Sequence, residues 1–324
     1  MTSSERVEQL ARAVVAGDRR ALAQAITLVE STTEEDGLAA TDLLARCVGQ
    51  GNEAYRIGIT GAPGVGKSTF IDGLGMTLIG AGLQVAVLSV DPSGLRSSGS
   101  ILGDKTRMAK LIADPSAFVR PSPSGATPGG VASATAESVL LCEAAGYGAV
   151  IVESVGVGQQ AHDIRHVVDF LLLLVDPGAG DELQGLKRGL LEVVDCVAVN
   201  KADGARVELA ERTRAEYAAA LAASAGDHAP PVLALSAREG RGIDAIWRTV
   251  QEHRVALQRD GEWLQRRGEQ RAALFWQLLR QQLLERFVSR AAVARRKEEL
   301  LEQLQSHAIT PRAAVQELLR LLDQ

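Results

Sequence analysis

From residue 51 onward, short apolar runs alternate with longer stretches of helical spacing. The runs at Tyr55–Thr60, Val85–Asp91, Ala149–Glu153, Phe170–Val175, Asp195–Asn200 and Val232–Ser236 read as strands. Between the first two, Phe70, Leu74, Leu78 and Ile79 recur at helical spacing, which predicts a helix over Thr69–Ala81. Strands that are apolar at nearly every position, separated by helices, predict a mostly parallel sheet covered by helices on both faces. The flanks differ. Residues 1–50 carry three helical stripes: Val7, Leu10, Val14 and Val15; then Leu22, Ile26 and Val29; then Leu38, Leu43 and Leu44. Thr32 or Thr33, followed by three acids, marks the start of the third helix. Residues 257–324 turn helical and charged, with Leu274, Phe275, Leu278, Leu279, Leu283 and Phe287 on one stripe. The pattern thus divides the chain into a helical extension (1–50), an α/β domain (51–256) and a helical arm (257–324).

The first predicted strand runs into Gly61-Ala62-Pro63-Gly64-Val65-Gly66-Lys67-Ser68-Thr69, which fits the phosphate-loop pattern G-x-x-x-x-G-K-[ST] between a strand and a helix. Backbone N–H groups converge there, and the helix dipole favours an anion. Lys67 is placed to reach the β- and γ-phosphates, and the Ser68 hydroxyl to ligate Mg²⁺. The fold expectation becomes a P-loop core with helical extensions at both ends.

Asn200-Lys201-Ala202-Asp203 follows the Asp195–Asn200 strand and fits N-K-x-D, a guanine-reading pattern. A carboxylate at Asp203 accepts from guanine N1–H and the 2-amino group. Adenine offers neither donor and would leave a charged acceptor unpaired, at about 1–3 kcal/mol or more. Asn200 is expected to brace the loops, and Lys201 to lay its stem along the base. Ser236-Ala237, at the end of the last strand, is expected to support the guanine O6 through backbone N–H groups.

Two more strand ends carry acids. Glu153-Ser154-Val155-Gly156 occupies the place where many GTPases have D-x-x-G, with Gly156 N–H directed at the γ-phosphate. Asp91 ends the Val85 run before Pro92. The metal candidates are therefore Ser68, Asp91, Asp104 and Glu153. Lys67, Asp91 and Glu153 are the catalytic candidates for in-line attack of water on the γ-phosphate. Gln159 is the candidate to orient that water. His162 and His166, four apart, read as a solvated or partner-facing pair rather than a metal pair. Asp176 before Pro177 reads as a strand-end turn.

Composition removes some classes. Net charge is −5, so the chain lacks the basic footprint of a nucleic-acid binder. The run Phe170–Val175 is too short to span a bilayer. The three cysteines have no paired spacing, which predicts reduced thiols in a cytosol. The acid-bearing start, Met1-Thr-Ser-Ser-Glu-Arg, does not read as a secretory or transit leader. The expected setting is cytoplasmic.

Longer runs narrow the class. Asp91-Pro-Ser93, Gly99-Ser-Ile-Leu-Gly-Asp104-Lys-Thr-Arg-Met108, Arg120-Pro-Ser-Pro-Ser124, Glu153-Ser-Val-Gly-Val-Gly-Gln159 and Gly178-Ala-Gly-Asp-Glu-Leu-Gln-Gly-Leu-Lys187 resemble the methylmalonyl-CoA mutase-associated GTPases of MeaB/ArgK type. The resemblance runs from about residue 5 to the C-terminus. It implies a GTPase using GTP/GDP and Mg²⁺ that chaperones an adenosylcobalamin-dependent acyl-CoA mutase, gating cofactor loading and expelling damaged cobalamin. It also implies a homodimer through the C-terminal arm. Gly178–Lys187, with Asp181, Glu182, Gln184 and Lys187, would couple nucleotide state to the mutase. The chain departs from the family pattern at Ser98, at Ala134 and Ala136, at Ser154, and at Gln160-Ala161-His162. The client that the resemblance implies is methylmalonyl-CoA mutase or a relative acting on 2-hydroxyisobutyryl-CoA or isobutyryl-CoA. Two alternatives stand beside this reading: a metallochaperone GTPase for another metallocentre, and an ATP-dependent kinase linked to amino-acid transport.

Overall fold

The computed structural model describes residues 2–31, 33–51, 53–91, 108–123, 130–154, 164–178, 188–226 and 229–322. The chain divides into two compact units, Met1–Gln270 and Arg271–Gln324.

The first unit is built on strands β1 (Tyr55–Gly61), β2 (Val85–Asp91), β3 (Ala117–Pro123), β4 (Ala149–Glu153), β5 (Phe170–Val175), β6 (Cys196–Val199) and β7 (Val232–Ala234). They form a sheet in the order β3-β2-β4-β1-β5-β6-β7, and every pairing between these strands is parallel. Alternate residues feed two separate cores. On one face Ile57, Ile59, Val85, Val87, Ile151, Phe170, Leu172, Leu174 and Ala198 pack against Phe70, Leu74 and Leu78 of α4 (Lys67–Gly80) and Ile243, Ile246 and Val250. The other face carries Leu88, Val150, Val152, Leu171, Leu173, Val197 and Val199 beneath the N-terminal helices, α6 (Gly130–Ala144) and α8 (Val207–Ala225). Burial on both faces is why these strands read as continuous apolar runs rather than alternating ones.

Strand β3 is an element the apolar pattern does not announce. Pro121 and Pro123 remove two ladder donors, which argues against a strand interior. Both prolines are tolerated because β3 is an edge, pairing only with β2. Between β2 and β3 lies α5 (Ala109–Ala113), and α7 (Arg188–Leu191) leads into β6.

The N-terminal helices belong to this unit. They are α1 (Ser3–Val15), α2 (Arg19–Val29) and α3 (Glu34–Cys47), capped by Thr2, Asp18 and Thr33 side chains. Val7, Val14, Leu22, Ile26, Val29 and Leu43 are buried. Leu38 and Val15 are exposed instead, because Ala40, Leu43 and Cys47, and Val7, Ala11 and Val14, define the inward faces. Arg120 of β3 ties α2 to the sheet by an ion pair with Glu30 and a 3.3 Å bond to the Ala23 carbonyl.

Below the amino ends of the strands, a buried charge network closes the floor. Two helices follow β7: α9 (Ile243–Arg259) and α10 (Glu262–Ser289). From α10, Arg267 donates to Asp169 at 2.6 Å, to Glu143 at 3.1 Å and to the Ala54 carbonyl at 3.1 Å. Arg56 of β1 meets the same Glu143 at 2.6 and 2.8 Å. Gln270 donates to the Val168 carbonyl at 2.8 Å. Alongside, Asp195 takes two bonds from Arg165 at 2.6 and 3.0 Å and one from the Leu171 amide.

The second unit holds the rest of α10, then α11 (Ala291–Gln305) and α12 (Pro311–Leu319), which Thr310 caps ahead of a first-turn proline. Arg296 of α11 pairs with Glu317 of α12 at 3.1 Å. On α10, Phe275, Trp276, Leu283 and Leu284 are each more than half exposed. Leu274, Leu278, Leu279 and Phe287 are partly covered. No described helix is long and apolar enough to cross a membrane.

Candidate functional site

The inner face of the sheet changes character at its carboxyl edge. Val85 and Val87 of β2 are followed by Ser89, and Ala149 and Ile151 of β4 by Glu153. Phe170, Leu172 and Leu174 of β5 lead to Asp176, and Cys196 and Ala198 of β6 to Asn200. Each row stays apolar while it lies under helices and becomes polar where it emerges. Ligands of open parallel sheets bind beyond this edge.

The phosphate loop joins β1 to α4 there. Gly61 has φ 153°, and a Cβ on it would lie 2.4 Å from the Leu174 carbonyl oxygen. Gly66 has φ 98°, and a Cβ would lie 2.6 Å from Asn200 Nδ2. Either side chain would push the loop off its neighbours. Val65 is buried and pins the turn, while Pro63 and Gly64 face outward beside the half-buried Ala62. Lys67, Ser68 and Thr69 form the first helical turn, whose N–H groups have no intrahelical acceptor. Lys67 Nζ arches over the loop, 2.9 Å from the Gly61 carbonyl and 3.2 Å from that of Ala62.

On one side of this loop stand three hydroxyl and carboxylate groups. Ser68 Oγ lies 3.4 Å from Glu153 Oε1, and Ser89 Oγ donates to Glu153 Oε2 at 2.8 Å. Glu153 is 8% exposed. A hydroxyl and one carboxylate form an oxygen donor set of the kind Mg²⁺ takes together with substrate phosphates. Among the described residues no group of three or more His, Cys, Asp or Glu gathers into a larger cage. Asp91 closes β2, but its side chain lies outside the described residues, as do Asp104 and Gly156.

On the other side, Asn200 joins three segments. Its Nδ2 donates to the Val65 carbonyl at 2.8 Å, and its Oδ1 accepts the Ala237 amide at 3.0 Å. Asp203 Oδ2 accepts from the Ser236 hydroxyl at 2.6 Å, and that hydroxyl in turn receives the Glu239 amide. Arg241 pairs with Ser236 through the backbone in both directions and donates to the Ala202 carbonyl at 2.9 Å. The Ser236 and Ala237 amides expected at O6 thus both have protein acceptors, Arg241 O and Asn200 Oδ1. The contribution of Ser236 that sequence reasoning missed is its hydroxyl, which orients Asp203. Lys201 has a positive φ of 58°, and its Nζ meets Asp176 at 2.7 Å. Asp176 is therefore more than a strand-end turn: it holds the Lys201 side chain at 2.7 Å. Its place at the end of the β5 apolar row was the available signal.

Gln159, His162, Asp181, Glu182, Gln184 and Lys187 lie outside the described residues. His166 is exposed in a turn, just after the helical residues Ile164 and Arg165.

A P-loop, a carboxylate beside its serine, and Asn200 tied to the loop through Val65 match the layout expected of a guanine-nucleotide site. Comparison with known proteins agrees. The family model "Methylmalonyl Co-A mutase-associated GTPase MeaB" matches residues 22–292. A "Probable GTPase" of Mycobacterium tuberculosis is 47% identical over 97% of this chain and 95% of its own length. The "GTPase ArgK" of Escherichia coli is 40% identical over 93% and 92%. The mouse "Methylmalonic aciduria type A homolog, mitochondrial" is 39% identical over 97% of this chain and 79% of its own. A crystal structure titled "LAO/AO transport system kinase" superposes with a TM-score of 0.76 at 33% identity, covering both chains in full. The chain is a P-loop GTPase and belongs to the MeaB family of methylmalonyl-CoA mutase-associated GTPases.

Proposed function

We propose that this GTPase gates adenosylcobalamin loading and reactivation of a B12-dependent acyl-CoA mutase, with methylmalonyl-CoA mutase or a close relative as its client. The observation that carries the reading is the family match over residues 22–292, joined to a site that links guanine-reading and phosphate-reading segments through Asn200. A change at the phosphates can pass through Val65 to the base side, and from β2 and β4 into the chain that follows each strand.

In the proposed reaction, water attacks the γ-phosphate in line, and the protein supplies position and charge. Lys67 and the first-turn amides of α4 hold the β- and γ-phosphates. Ser68 and Glu153 hold Mg²⁺, with Asp91 and Asp104 as further candidates. The ion, when bound, offsets charge on the phosphate oxygens. Asp203, steadied by Ser236, reads the guanine edge, so GTP rather than ATP is the substrate. We further propose that Gly178–Lys187 contacts the client through Asp181, Glu182, Gln184 and Lys187. The exposed Phe275, Trp276, Leu283 and Leu284 would pair two copies of the chain.

The test is co-purification with candidate mutases in the presence of GDP or a non-hydrolysable GTP analogue. Nucleotide-dependent association with an acyl-CoA mutase supports the proposal. Absence of association with each mutase, in either nucleotide state, would overturn it.

A further inference from the structure

A buried serine on β2 stands out because the apolar row of that strand gives no reason for a hydroxyl. Val85 and Val87 precede Ser89 on the same face, and Ser89 is only 5% exposed. A hydroxyl buried in such a row is costly unless it finds a strong partner. The partner is set by the sheet itself. In the parallel register Ser89 lies directly across from Glu153, and its Oγ donates to Glu153 Oε2 at 2.8 Å. The other carboxylate oxygen faces the Ser68 hydroxyl of the phosphate loop at 3.4 Å. Ser89 therefore grips the oxygen turned away from Ser68.

We infer that Ser89 is a positioning residue for the metal-side carboxylate: it locks the Glu153 rotamer so that Oε1 faces the cation held with Ser68. A hydroxyl donating to a carboxylate makes a strong, charge-assisted hydrogen bond. It also keeps the two ends of neighbouring strands in step, since β2 continues to Asp91 only two residues later. Without it, Glu153 can turn toward other donors and must be reordered each time the cation binds. Partners that orient a metal ligand typically contribute about 10–100-fold in metal affinity.

This inference rests on the reading that Ser68 and Glu153 hold the divalent ion, and the experiment separates the two. Mn²⁺ binding to the full-length protein–GDP complex is titrated by electron paramagnetic resonance for wild type, Ser89→Ala, Ser89→Thr, Ser68→Ala and Glu153→Gln. GDP binding in EDTA is measured for each as a check on folding. Ser89→Ala should weaken Mn²⁺ about 10–100-fold while GDP binding in EDTA stays at the wild-type level. Ser89→Thr, which restores the hydroxyl, should recover most of the loss. If Ser68→Ala and Glu153→Gln weaken Mn²⁺ but Ser89→Ala does not, the role of Ser89 is refuted and the metal site stands. Loss of GDP binding in EDTA in both Ser89 variants would assign the serine to general packing and also refute the inference. If neither Ser68→Ala nor Glu153→Gln changes Mn²⁺ affinity, the metal reading fails and takes this inference with it.

Discussion

Replacing Arg267 by methionine strands a negative charge in the floor of the sheet. Two guanidinium groups, Arg56 and Arg267, face two carboxylates, Glu143 and Asp169, and all four side chains are nearly buried. Methionine removes the guanidinium that lies over the Trp263 ring and leaves one cation for two acids. Removing one partner of a buried pair costs about 3–5 kcal/mol, chiefly for the charge left behind. The Ala54 carbonyl also loses its donor. The loss should depend on pH. Burial already holds the Asp169 carboxyl above its ordinary range, although Arg267 opposes the shift. Without Arg267 that carboxyl rises further, so native Asp169 takes up a proton at a pH where the unfolded chain remains ionised. Glu143, held low by Arg56 and Arg267 against its own burial, loses part of that support. Stability lost by Arg267→Met should therefore be greatest near pH 8 and shrink toward pH 5. Adding Asp169→Asn should recover part of the pH 8 loss by removing the stranded charge. Urea unfolding followed by circular dichroism at both pH values provides the test. A loss below about 1 kcal/mol at pH 8, an equal loss at both pH values, or no recovery in the double variant would refute the reasoning.

Three further outcomes follow from the site and its surroundings. Asp203→Asn should weaken GTP binding and favour xanthine nucleotides, whose 2-oxo group can accept from the new amide; unchanged preference in competition calorimetry would contradict the role of Asp203. Gly66→Ala should impair nucleotide binding, because its Cβ would meet Asn200 Nδ2 at 2.6 Å on a φ of 98°; wild-type GDP affinity would show that the loop relaxes freely. Burial pushes the Glu137 carboxyl up to about 7 from an ordinary 4.5. The unfolded chain then ionises before the native one, so this residue subtracts stability as pH rises from about 4.5 to 7. Glu137→Gln should stabilise the protein at pH 8 by up to about 3 kcal/mol and change little at pH 4.5. Equal effects in urea melts at both pH values would argue against it.

The sheet was legible in the sequence wherever burial on both faces forces a run of apolar residues, as in β5 and β6. It was not legible in β3, where two prolines on a sheet edge hide the strand. The phosphate loop and Asn200-Lys201-Ala202-Asp203 could be read because their chemistry depends on contiguous residues. The partners of Ser89 and Asp176 could not, since each is fixed by tertiary structure: Glu153 across the β2–β4 ladder and Lys201 beyond β6. The floor network escaped for the same reason. Arg56, Glu143, Asp169 and Arg267 come from four separate segments of the chain, and charged residues that far apart read individually as surface. Leu38 shows the converse, an apolar residue that helical spacing placed inside and the fold leaves 69% exposed.

GTP hydrolysis by this protein should be measured with and without the purified mutase proposed as its client, together with adenosylcobalamin transfer to that mutase under GTP, GDP or a non-hydrolysable analogue. Slow hydrolysis alone, faster hydrolysis with the mutase, and cofactor transfer that differs between the triphosphate and diphosphate states are the expected results. Hydrolysis unaffected by the mutase, with cofactor loading the same in every nucleotide, would contradict it.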